Sequence, residues 1–257
     1  MCFGLDPEPE RMPHRDVADY YLRILGRMHA RDALPAVVKP NVAYYERLGE
    51  AGSLALRRVL EGCRALGLLV LLDGKRGDID RSASAYADAM FAGYGADAVT
   101  VSPYMGGDSL APFTAWCARG RGVYVLCRTS NPGAADLQDL MVGDAPLYER
   151  VVERVAGAWW RAGIGAVVGA TGPAELGRVA ERITASGREV PLLVPGVGAQ
   201  GGSAREVWAR LGEANYDRSL LLVNASSSIA FAGEAAGTHD FAEAAADALL
   251  RLRDALR

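Results

Sequence analysis

Three charged side chains follow one apolar segment at close spacing, in the stretch Asp73-Gly-Lys-Arg-Gly-Asp78. Residues two apart in an extended strand share a face, so Asp73 and Lys75 can point into the same cleft. Lys39 ends the preceding apolar segment and lies beside them if consecutive strands are neighbours. Two lysines and two aspartates in one cleft fit either catalysis or a buried ion-pair network. Buried networks give little net stability for their desolvation cost, and this favours catalysis.

Lysine is rare in this chain, because only two of its 28 lysine and arginine residues are lysines, Lys39 and Lys75. A general bias towards arginine explains the other basic positions. Arginine cannot release a proton near neutral pH, whereas a lysine ammonium is compact and its pKa is tunable. We therefore expect the two lysines to lie where an ammonium is needed, and proton transfer is a chemistry that needs one.

Eight short apolar segments alternate with amphipathic stretches along the chain. Their length and their β-branched or leucine-rich composition predict buried parallel strands. The predicted strands are Cys2–Leu5, Ala36–Val38, Leu68–Leu72, Ala98–Val101, Val123–Cys127, Gly165–Val168, Leu192–Val194 and Leu220–Val223. The predicted helices are Asp16–Arg31, Glu46–Leu66, Ser82–Tyr94, Ser109–Arg119, Leu147–Ala162, Pro173–Ile183, Ala204–Leu211 and Ala235–Leu250.

This alternation of strands and helices is typical of a (β/α)8 barrel, which we predict as a single domain over residues 1–257. A doubly wound open sheet is the alternative. The long connection from Arg128 to Pro146 is large enough to form a lid. Functional residues of a barrel lie at the carboxyl ends of its strands, where polar groups follow almost every predicted strand here.

A glycine-rich segment, Gly196-Val-Gly-Ala-Gln-Gly201, matches the spacing of a dinucleotide-binding loop. It follows the seventh predicted strand rather than opening a first βαβ unit, and Asp217 precedes a strand instead of ending one. We interpret the segment as a phosphate cradle, formed by backbone N–H groups at a helix N-terminus. The pair Gly74-Lys75 lacks the other residues of a P-loop.

The composition describes an ordinary globular chain, with 50% hydrophobic residues, 23% charged residues and a net charge of −3. This charge disfavours nucleic acid as the primary partner. No apolar run approaches the ~18 residues of a membrane span, and the first residues lack the features of a signal peptide. We therefore expect a cytoplasmic protein with reduced thiols and no membrane partner. Scattered histidines and the absence of a CxxC motif predict no metal site.

The motifs resemble, in order over residues 1 to about 235, those of orotidine-5′-phosphate decarboxylases. The Lys-Arg-Gly-Asp-Ile version of the central motif is similar to that of a bacterial branch. The matching segments are Gly4-Leu-Asp-Pro7, Lys39-Pro-Asn41, Asp73-Gly-Lys-Arg-Gly-Asp-Ile79, Arg128-Thr-Ser-Asn-Pro-Gly133 and Pro195-Gly-Val-Gly-Ala-Gln-Gly-Gly202.

The resemblance implies a barrel that works as a cofactor-free homodimer in pyrimidine biosynthesis and decarboxylates a nucleotide. It implies a catalytic network of Lys39, Asp73, Lys75 and Asp78, with Asp78 contributed across the dimer interface. Loss of CO₂ from C6 of orotate leaves a localised carbanion, which the site must stabilise electrostatically and protonate. Lys75 can do both, as a preorganised cation and as the general acid.

The resemblance also implies a set of substrate-binding residues. Asp6 matches an acceptor for ribose hydroxyls, and Ser82 stands where the family has a threonine that reaches the neighbouring subunit's ribose. Ser130 matches a contact to the pyrimidine and the lid, and Gln200 matches a phosphate contact. The full implied set is Asp6, Ile79, Ser82, Ser130, Pro195, Gly198, Gln200, Gly201, Ser227 and Ser228.

One segment departs from the family pattern. The eighth strand of this branch ends in a motif like Asn-Ser-Ser-Arg-Gly-Ile, whose arginine binds the substrate phosphate, and Ser227 stands in the arginine's place. Ser203 replaces the acid that usually follows the glycines of the seventh loop. We expect either that Arg128 or Arg205 supplies the missing cation, or that the site no longer uses a phosphate.

The sequence leaves several hypotheses open. The first is a decarboxylase of orotidine 5′-phosphate, and the second is a decarboxylase of an unphosphorylated or 5′-modified nucleoside in a specialised pathway. A non-catalytic nucleotide-binding relative is disfavoured by the four-residue network. An aldolase that forms a Schiff base on Lys75 or Lys39 and a metal-dependent sugar-phosphate decarboxylase are further alternatives.

Overall fold

The computed structural model describes residues 1–13, 15–197 and 201–256. Contacts along the chain divide it into two compact units. The first unit comprises residues 1–74 and 224–257, and the second comprises residues 75–223.

Ten strands are present among the described residues. They are β1 (Cys2–Leu5), β2 (Val37–Pro40), β3 (Leu69–Arg76), β4 (Ala98–Val101), β5 (Gly122–Arg128), β6 (Met141–Val142), β7 (Ala145–Pro146), β8 (Ile164–Val168), β9 (Leu192–Pro195) and β10 (Leu221–Ala225). Eight of them form a closed barrel in the order β1-β10-β9-β8-β5-β4-β3-β2. The predicted (β/α)8 fold class is confirmed.

Eleven α-helices are present in the same described residues. They are α1 (Val17–Ala30), α2 (Val42–Glu46), α3 (Gly49–Ala65), α4 (Asp80–Asp88), α5 (Gly107–Thr114), α6 (Leu147–Ala156), α7 (Pro173–Ser186), α8 (Ala204–Glu213), α9 (Ser227–Ala230), α10 (Ala232–Ala236) and α11 (Phe241–Asp254). A π-helical turn (Ala89–Gly93) and 3₁₀ turns (Ala115–Arg119, Pro132–Asp136, Arg218–Leu220) complete the helical segments.

In the first unit, β1 pairs in parallel with β2 and with β10. All four β1 residues are buried, as expected for an apolar parallel strand covered on both faces. The register places Gly4 opposite Lys39 and Cys2 opposite Asn224. This register fixes which polar side chains of the three strands lie at the same level.

In the second unit, β5 pairs in parallel with β4 and β8. All five residues of β8 are buried. The predicted lid, residues 128–146, contains the 3₁₀ turn Pro132–Asp136 and the antiparallel hairpin of β6 and β7. The lid segment is therefore a folded structure within this unit.

Two predicted helices differ from the observed ones at glycines. The predicted helix Ala235–Leu250 is interrupted, because Gly237 adopts a left-handed conformation with φ +63° and ends α10. The next helix, α11, begins after Asp240, whose side chain accepts a hydrogen bond from the Glu243 N–H at 3.0 Å. The predicted helix Glu46–Leu66 is likewise split before Gly49, which has φ +65°.

The third strand differs from the prediction in a way that concerns the candidate site. The apolar pattern predicts a strand that ends at Leu72, whereas β3 continues to Arg76. Asp73 and Lys75 therefore lie within the strand rather than in the loop after it. Apolar patterning detects only the buried part of a strand, so the polar extension was missed.

One further helix is shorter than predicted. The predicted helix Leu147–Ala162 ends at Ala156, where Gly157 leaves the helical conformation.

No helix in the described part of the chain has both the length and the apolar character needed to cross a lipid bilayer.

Candidate active site

Lys39 and Asp73 form a buried ion pair in the first unit. The Lys39 Nζ donates to Asp73 Oδ2 at 2.8 Å, and the two residues are only 3% and 6% exposed. Asp73 also forms an isolated parallel bridge with Asn41, whose side chain accepts from the Ala43 N–H and caps α2. The carboxyl ends of β2 and β3 therefore hold a fixed pair of opposite charges.

The charge of Lys39 is maintained although the residue is fully buried. Burial acts to lower the pKa of Lys39, but the negative charges of Asp73 and Asp6 outweigh it and raise the pKa above the ordinary value. Lys39 is therefore an ammonium at any pH near neutrality. Such a group orients carboxylates and is poorly suited to giving up its proton.

Asp6 follows β1 in the same unit, and one of its carboxylate oxygens has no hydrogen-bond donor among the described residues. Its Oδ1 is buried and accepts no hydrogen bond from the described residues. Buried polar atoms are nearly always satisfied, so an orphaned carboxylate oxygen at a strand end points to a ligand. A ribose hydroxyl is a donor of the kind that this oxygen lacks.

Lys75 belongs to the second unit and differs from Lys39. Its side chain is exposed, and its backbone has φ +43°, in the left-handed region that lysine rarely adopts. The Lys75 N–H donates to Thr100 Oγ1 on β4 at 2.9 Å. At the following residue, the backbone carbonyl of Arg76 accepts a hydrogen bond from the Ser102 N–H at 2.8 Å. Lys75 therefore sits on a strained backbone that is held by Thr100 on β4 and, at the following residue, by Ser102 just after β4.

Asp78, Ile79 and Ser82 lie around the start of α4 in the second unit. Asp78 Oδ1 accepts from the Ile79 N–H at 2.8 Å. Ile79 is 51% exposed and Ser82 is exposed. Of the two residues that the family resemblance assigns to a neighbouring subunit's site, Ser82 is exposed and Asp78 is half-buried.

Ser130 follows β5 and lines a cavity of about 310 Å³. The cavity is bounded by the lid residues Arg128–Pro132 and by residues 169–175. Thr171 Oγ1 approaches the Ser130 carbonyl at 3.4 Å. Arg128 also lines this cavity, and its guanidinium forms a bidentate ion pair with Asp139 at 2.9 and 3.0 Å.

A larger cavity of about 480 Å³ lies elsewhere in the second unit. Tyr104, Leu126, Leu137, Tyr148 and Trp159 form much of its mainly apolar wall. None of the predicted site residues lines it, so size alone does not locate the chemistry in this unit.

The glycine-rich segment after β9 is only partly described. Pro195 is the last residue of β9, and its carbonyl accepts from the Ala170 N–H at 2.8 Å. Gly201 has φ +87°, a conformation that only glycine adopts readily. The predicted residues Gly198 and Gln200 lie outside the described residues.

The segment after β10 brings two further polar residues into the first unit. Asn224 is 4% exposed, and its Nδ2 lies 3.4 Å from Ser226 Oγ. Ser226 occupies the space that a side chain at Gly4 would need, since an added Cβ would overlap its hydroxyl. The predicted residues Ser227 and Ser228 begin α9.

Sequence reasoning missed the contact of Thr100 with Lys75 in the second unit and the close approach of Ser226 to Gly4 in the first. Thr100 lies within the apolar segment Ala-Val-Thr-Val, so no motif distinguishes it. The glycine at position 4 was the available signal for Ser226, because a glycine inside a strand often marks a close approach.

The family model described as "Orotidine 5′-phosphate decarboxylase / HUMPS family" matches residues 1–239 of the chain. The chain belongs to this family. The predicted family is confirmed, and the bacterial branch and the replacement of an arginine by Ser227 stay predictions.

Curated relatives match over most of their length. An orotidine 5′-phosphate decarboxylase of Roseiflexus castenholzii is 43% identical over 261 residues, which cover 100% of this chain and 91% of the relative. One of Herpetosiphon aurantiacus is 44% identical over 238 residues, covering 90% and 86%.

Solved structures of the family superpose on the whole chain. The structure of Leishmania donovani OMP decarboxylase superposes with a TM-score of 0.80 at 36% sequence identity. The match covers 99% of this chain and 92% of that chain. Leishmania donovani UMP synthase has a TM-score of 0.82 and 38% identity, and this chain covers 53% of its length.

Proposed function

We propose that this protein is a cofactor-independent carboxy-lyase that converts orotidine 5′-phosphate to UMP. The observation that carries the proposal is the buried Lys39–Asp73 pair, with Lys75 two residues further on β3, in a member of this family. Relatives about 43% identical over the full chain bear the name of this activity. The reaction would belong to pyrimidine biosynthesis in the cytoplasm.

The proposed first step is heterolysis of the bond between C6 and the carboxylate. CO₂ departs and its bonding electron pair stays on C6 as a carbanion. Asp73, held ionised by Lys39, would stand against the substrate carboxylate, and its repulsion would be relieved as CO₂ leaves. The cationic array would stabilise the localised charge on C6.

The proposed second step is protonation of C6 by Lys75. The ammonium transfers one proton to the carbanion, and the neutral amine later regains it from solvent. The exposed side chain of Lys75 suits this exchange with solvent, in contrast to the buried Lys39. Asp78 would complete the network as its second carboxylate.

The proposed substrate contacts follow from the polar groups at the strand ends. Asp6 Oδ1 would accept from a ribose hydroxyl, which would satisfy its open hydrogen-bonding position. Ser130 would contact the pyrimidine from its cavity beside the lid. Pro195, Gly201 and Gln200 would surround the phosphate.

We further propose that Arg205 supplies the cation that Ser227 lacks. Arg128 is committed to Asp139, whereas Arg205 is exposed and forms no ion pair with the residues that the structure describes. Arg205 lies in the first turn of α8, where the helix dipole disfavours a cation and favours an anion. A bound phosphate would remove this conflict.

The proposed role of Arg205 can be tested by removing its side chain and then restoring a cation at position 227. Arg205→Ala should raise KM for orotidine 5′-phosphate about tenfold or more, the worth of a charge-assisted contact. Adding Ser227→Arg should restore KM in that background. Arg210→Ala, which removes an exposed pair with Glu213 on the same helix, is the matched control and should leave KM unchanged. An unchanged KM in Arg205→Ala would refute the role of Arg205.

We also propose that the chain forms one barrel domain that pairs with a second copy. Ile79, Tyr86, Tyr104 and Met105 expose 51%, 37%, 81% and 38% of their surface in the second unit. Exposed apolar side chains beside Asp78 are suited to burial against another subunit. Sites shared in this way would require both subunits for activity.

The activity is tested by assaying decarboxylation of orotidine 5′-phosphate and of orotidine side by side. We expect efficient turnover of the phosphate and much slower turnover of the nucleoside, because remote phosphate binding helps to organise the site. Equal rates would favour the unphosphorylated substrate instead. Chelator treatment should leave the rate unchanged, and borohydride should trap no adduct, which distinguishes this proposal from the metal-dependent and Schiff-base alternatives.

A further inference from the structure

The backbone of Lys75 is unusual for its residue type. Four non-glycine residues among those described have positive φ: Asp32, Lys75, Asp80 and Asn215. Three of them are aspartate or asparagine, whose short polar side chains tolerate the left-handed region. Lys75 has no such compensation, so its conformation must be imposed by contacts with its surroundings.

Thr100 provides a contact of this kind. Its Oγ1 accepts a hydrogen bond from the Lys75 N–H at 2.9 Å, and the residue is only 1% exposed. At Arg76, the residue after Lys75, the hydrogen bond is made between backbone groups instead. The Ser102 N–H donates to the Arg76 carbonyl. The side chain of Thr100 thus takes the place of a backbone acceptor where the strand conformation is broken.

The alternative explanation is that Thr100 only fills the core. A threonine in the strand Ala98–Val101 has high β-propensity, and valine has nearly the same shape and would pack as well. Valine offers no acceptor for the Lys75 N–H, however. The hydroxyl of Thr100 therefore gives the Lys75 N–H an acceptor that packing alone does not require.

We propose that Thr100 is a positioning residue that acts through Lys75. Its hydroxyl holds the Lys75 backbone in the left-handed conformation, and this conformation sets the direction in which the ammonium leaves the end of β3. The inference rests on the proposed role of Lys75 as the proton donor. Without the hydroxyl, the backbone relaxes and the ammonium is displaced from the reacting carbon.

The test is a series of substitutions at Thr100 that separates the hydroxyl from the size of the side chain. Thr100→Val keeps the shape and removes the acceptor, Thr100→Ala removes both, and Thr100→Ser keeps the acceptor in a smaller side chain. Small displacements of a catalytic group cost up to about a hundredfold in rate. We expect kcat to fall roughly ten- to a hundredfold in the Val and Ala variants, with KM nearly unchanged, and to stay near wild type in the Ser variant.

Thr114→Val is the matched control, since Thr114 is also buried and, among the described residues, its hydroxyl donates to Ala111 O of its own helix. It should leave kcat unchanged. If activity follows size, with Val close to wild type and Ser as impaired as Ala, the positioning role is refuted. Because Ser and Ala are similar in size, their comparison decides the matter even if the Val variant fails to fold.

The failure of this inference is distinguishable from failure of the proposed function. Lys75→Ala that retains substantial turnover would overturn the role of Lys75 itself. An inactive Lys75→Ala together with a Val variant as active as the Ser variant would overturn only the role of Thr100.

Discussion

The two lysines of the chain occupy opposite environments at the ends of neighbouring strands in the sequence. Lys39 is 3% exposed, is bonded to Asp73 and has a pKa raised by the charges of Asp73 and Asp6. Lys75 is exposed and stands on a left-handed backbone held by Thr100. One lysine is fixed as a permanent charge, and the other is placed where it can exchange a proton with its surroundings.

This difference separates two tasks that one ammonium performs poorly. A buried lysine between carboxylates keeps its proton, because neutralising it would leave the carboxylates unpaired. A proton donor must release its proton and recover it in each turnover. The chain retains lysine at both positions, whereas its other lysine or arginine positions are arginine, and in the proposed mechanism each task excludes the guanidinium for its own reason.

The largest effect is expected at Lys75. Lys75→Ala should lower kcat by at least roughly a thousandfold, because a general acid and a preorganised cation are lost together. Lys75→Arg should be similarly inactive, since arginine keeps the charge but does not donate its proton. Circular dichroism should show an unchanged fold for both variants, as the side chain is exposed. Substantial activity in Lys75→Arg would show that Lys75 is not the proton donor.

The next effect is expected at Lys39, and here stability changes as well as activity. Lys39→Met leaves the Asp73 carboxylate buried without its partner, which should cost about 3–5 kcal/mol of unfolding free energy. Denaturant unfolding measures this loss. The double variant Lys39→Met, Asp73→Asn removes the buried charge and should recover most of the stability but none of the activity. Recovery of activity in the double variant would contradict a catalytic role for the pair.

Mixed dimers test whether the environment of Lys75 includes a second subunit. Lys75→Ala and Asp78→Ala chains should each be inactive alone. After subunit exchange, a hybrid dimer has one site with both defects and one with neither, so random mixing should restore about a quarter of wild-type activity. Exchange is verified by mass spectrometry of differently tagged chains. Verified exchange without recovery would place Asp78 in the same subunit's site.

The smallest effect is expected at Gly4. This residue lies on β1, opposite Lys39 on β2. A Cβ at this position would overlap the Ser226 hydroxyl and lie 2.7 Å from Ser226 Cβ, so Gly4→Ala overpacks the interior. We expect a loss of about 1–3 kcal/mol of stability. Ser226→Gly in the same chain should relieve the overlap. A fully stable Gly4→Ala would mean that Ser226 moves without cost.

The sequence predicted the elements that rest on local composition. Eight buried parallel strands appear as apolar runs because both faces are covered, and β1 and β4 match the predicted ranges residue for residue. Helix ends were less predictable, because the break at Gly237 depends on a left-handed conformation that glycine permits but does not require. The charged motif after Leu72 was found because charge in a strand is conspicuous, although its inclusion in β3 was not predicted.

Residue types and spacing alone predicted that a charged array lies at strand ends, and they led to the hypothesis that its lysines are not interchangeable with arginine. Only the tertiary structure decided that Asp73 pairs with Lys39, because the register of strands distant in sequence sets that 2.8 Å contact. It also decided that Thr100 supports Lys75. A threonine in an apolar strand carries no local signal, and its hydroxyl accepts from the Lys75 N–H where β3 leaves the regular strand conformation beside it.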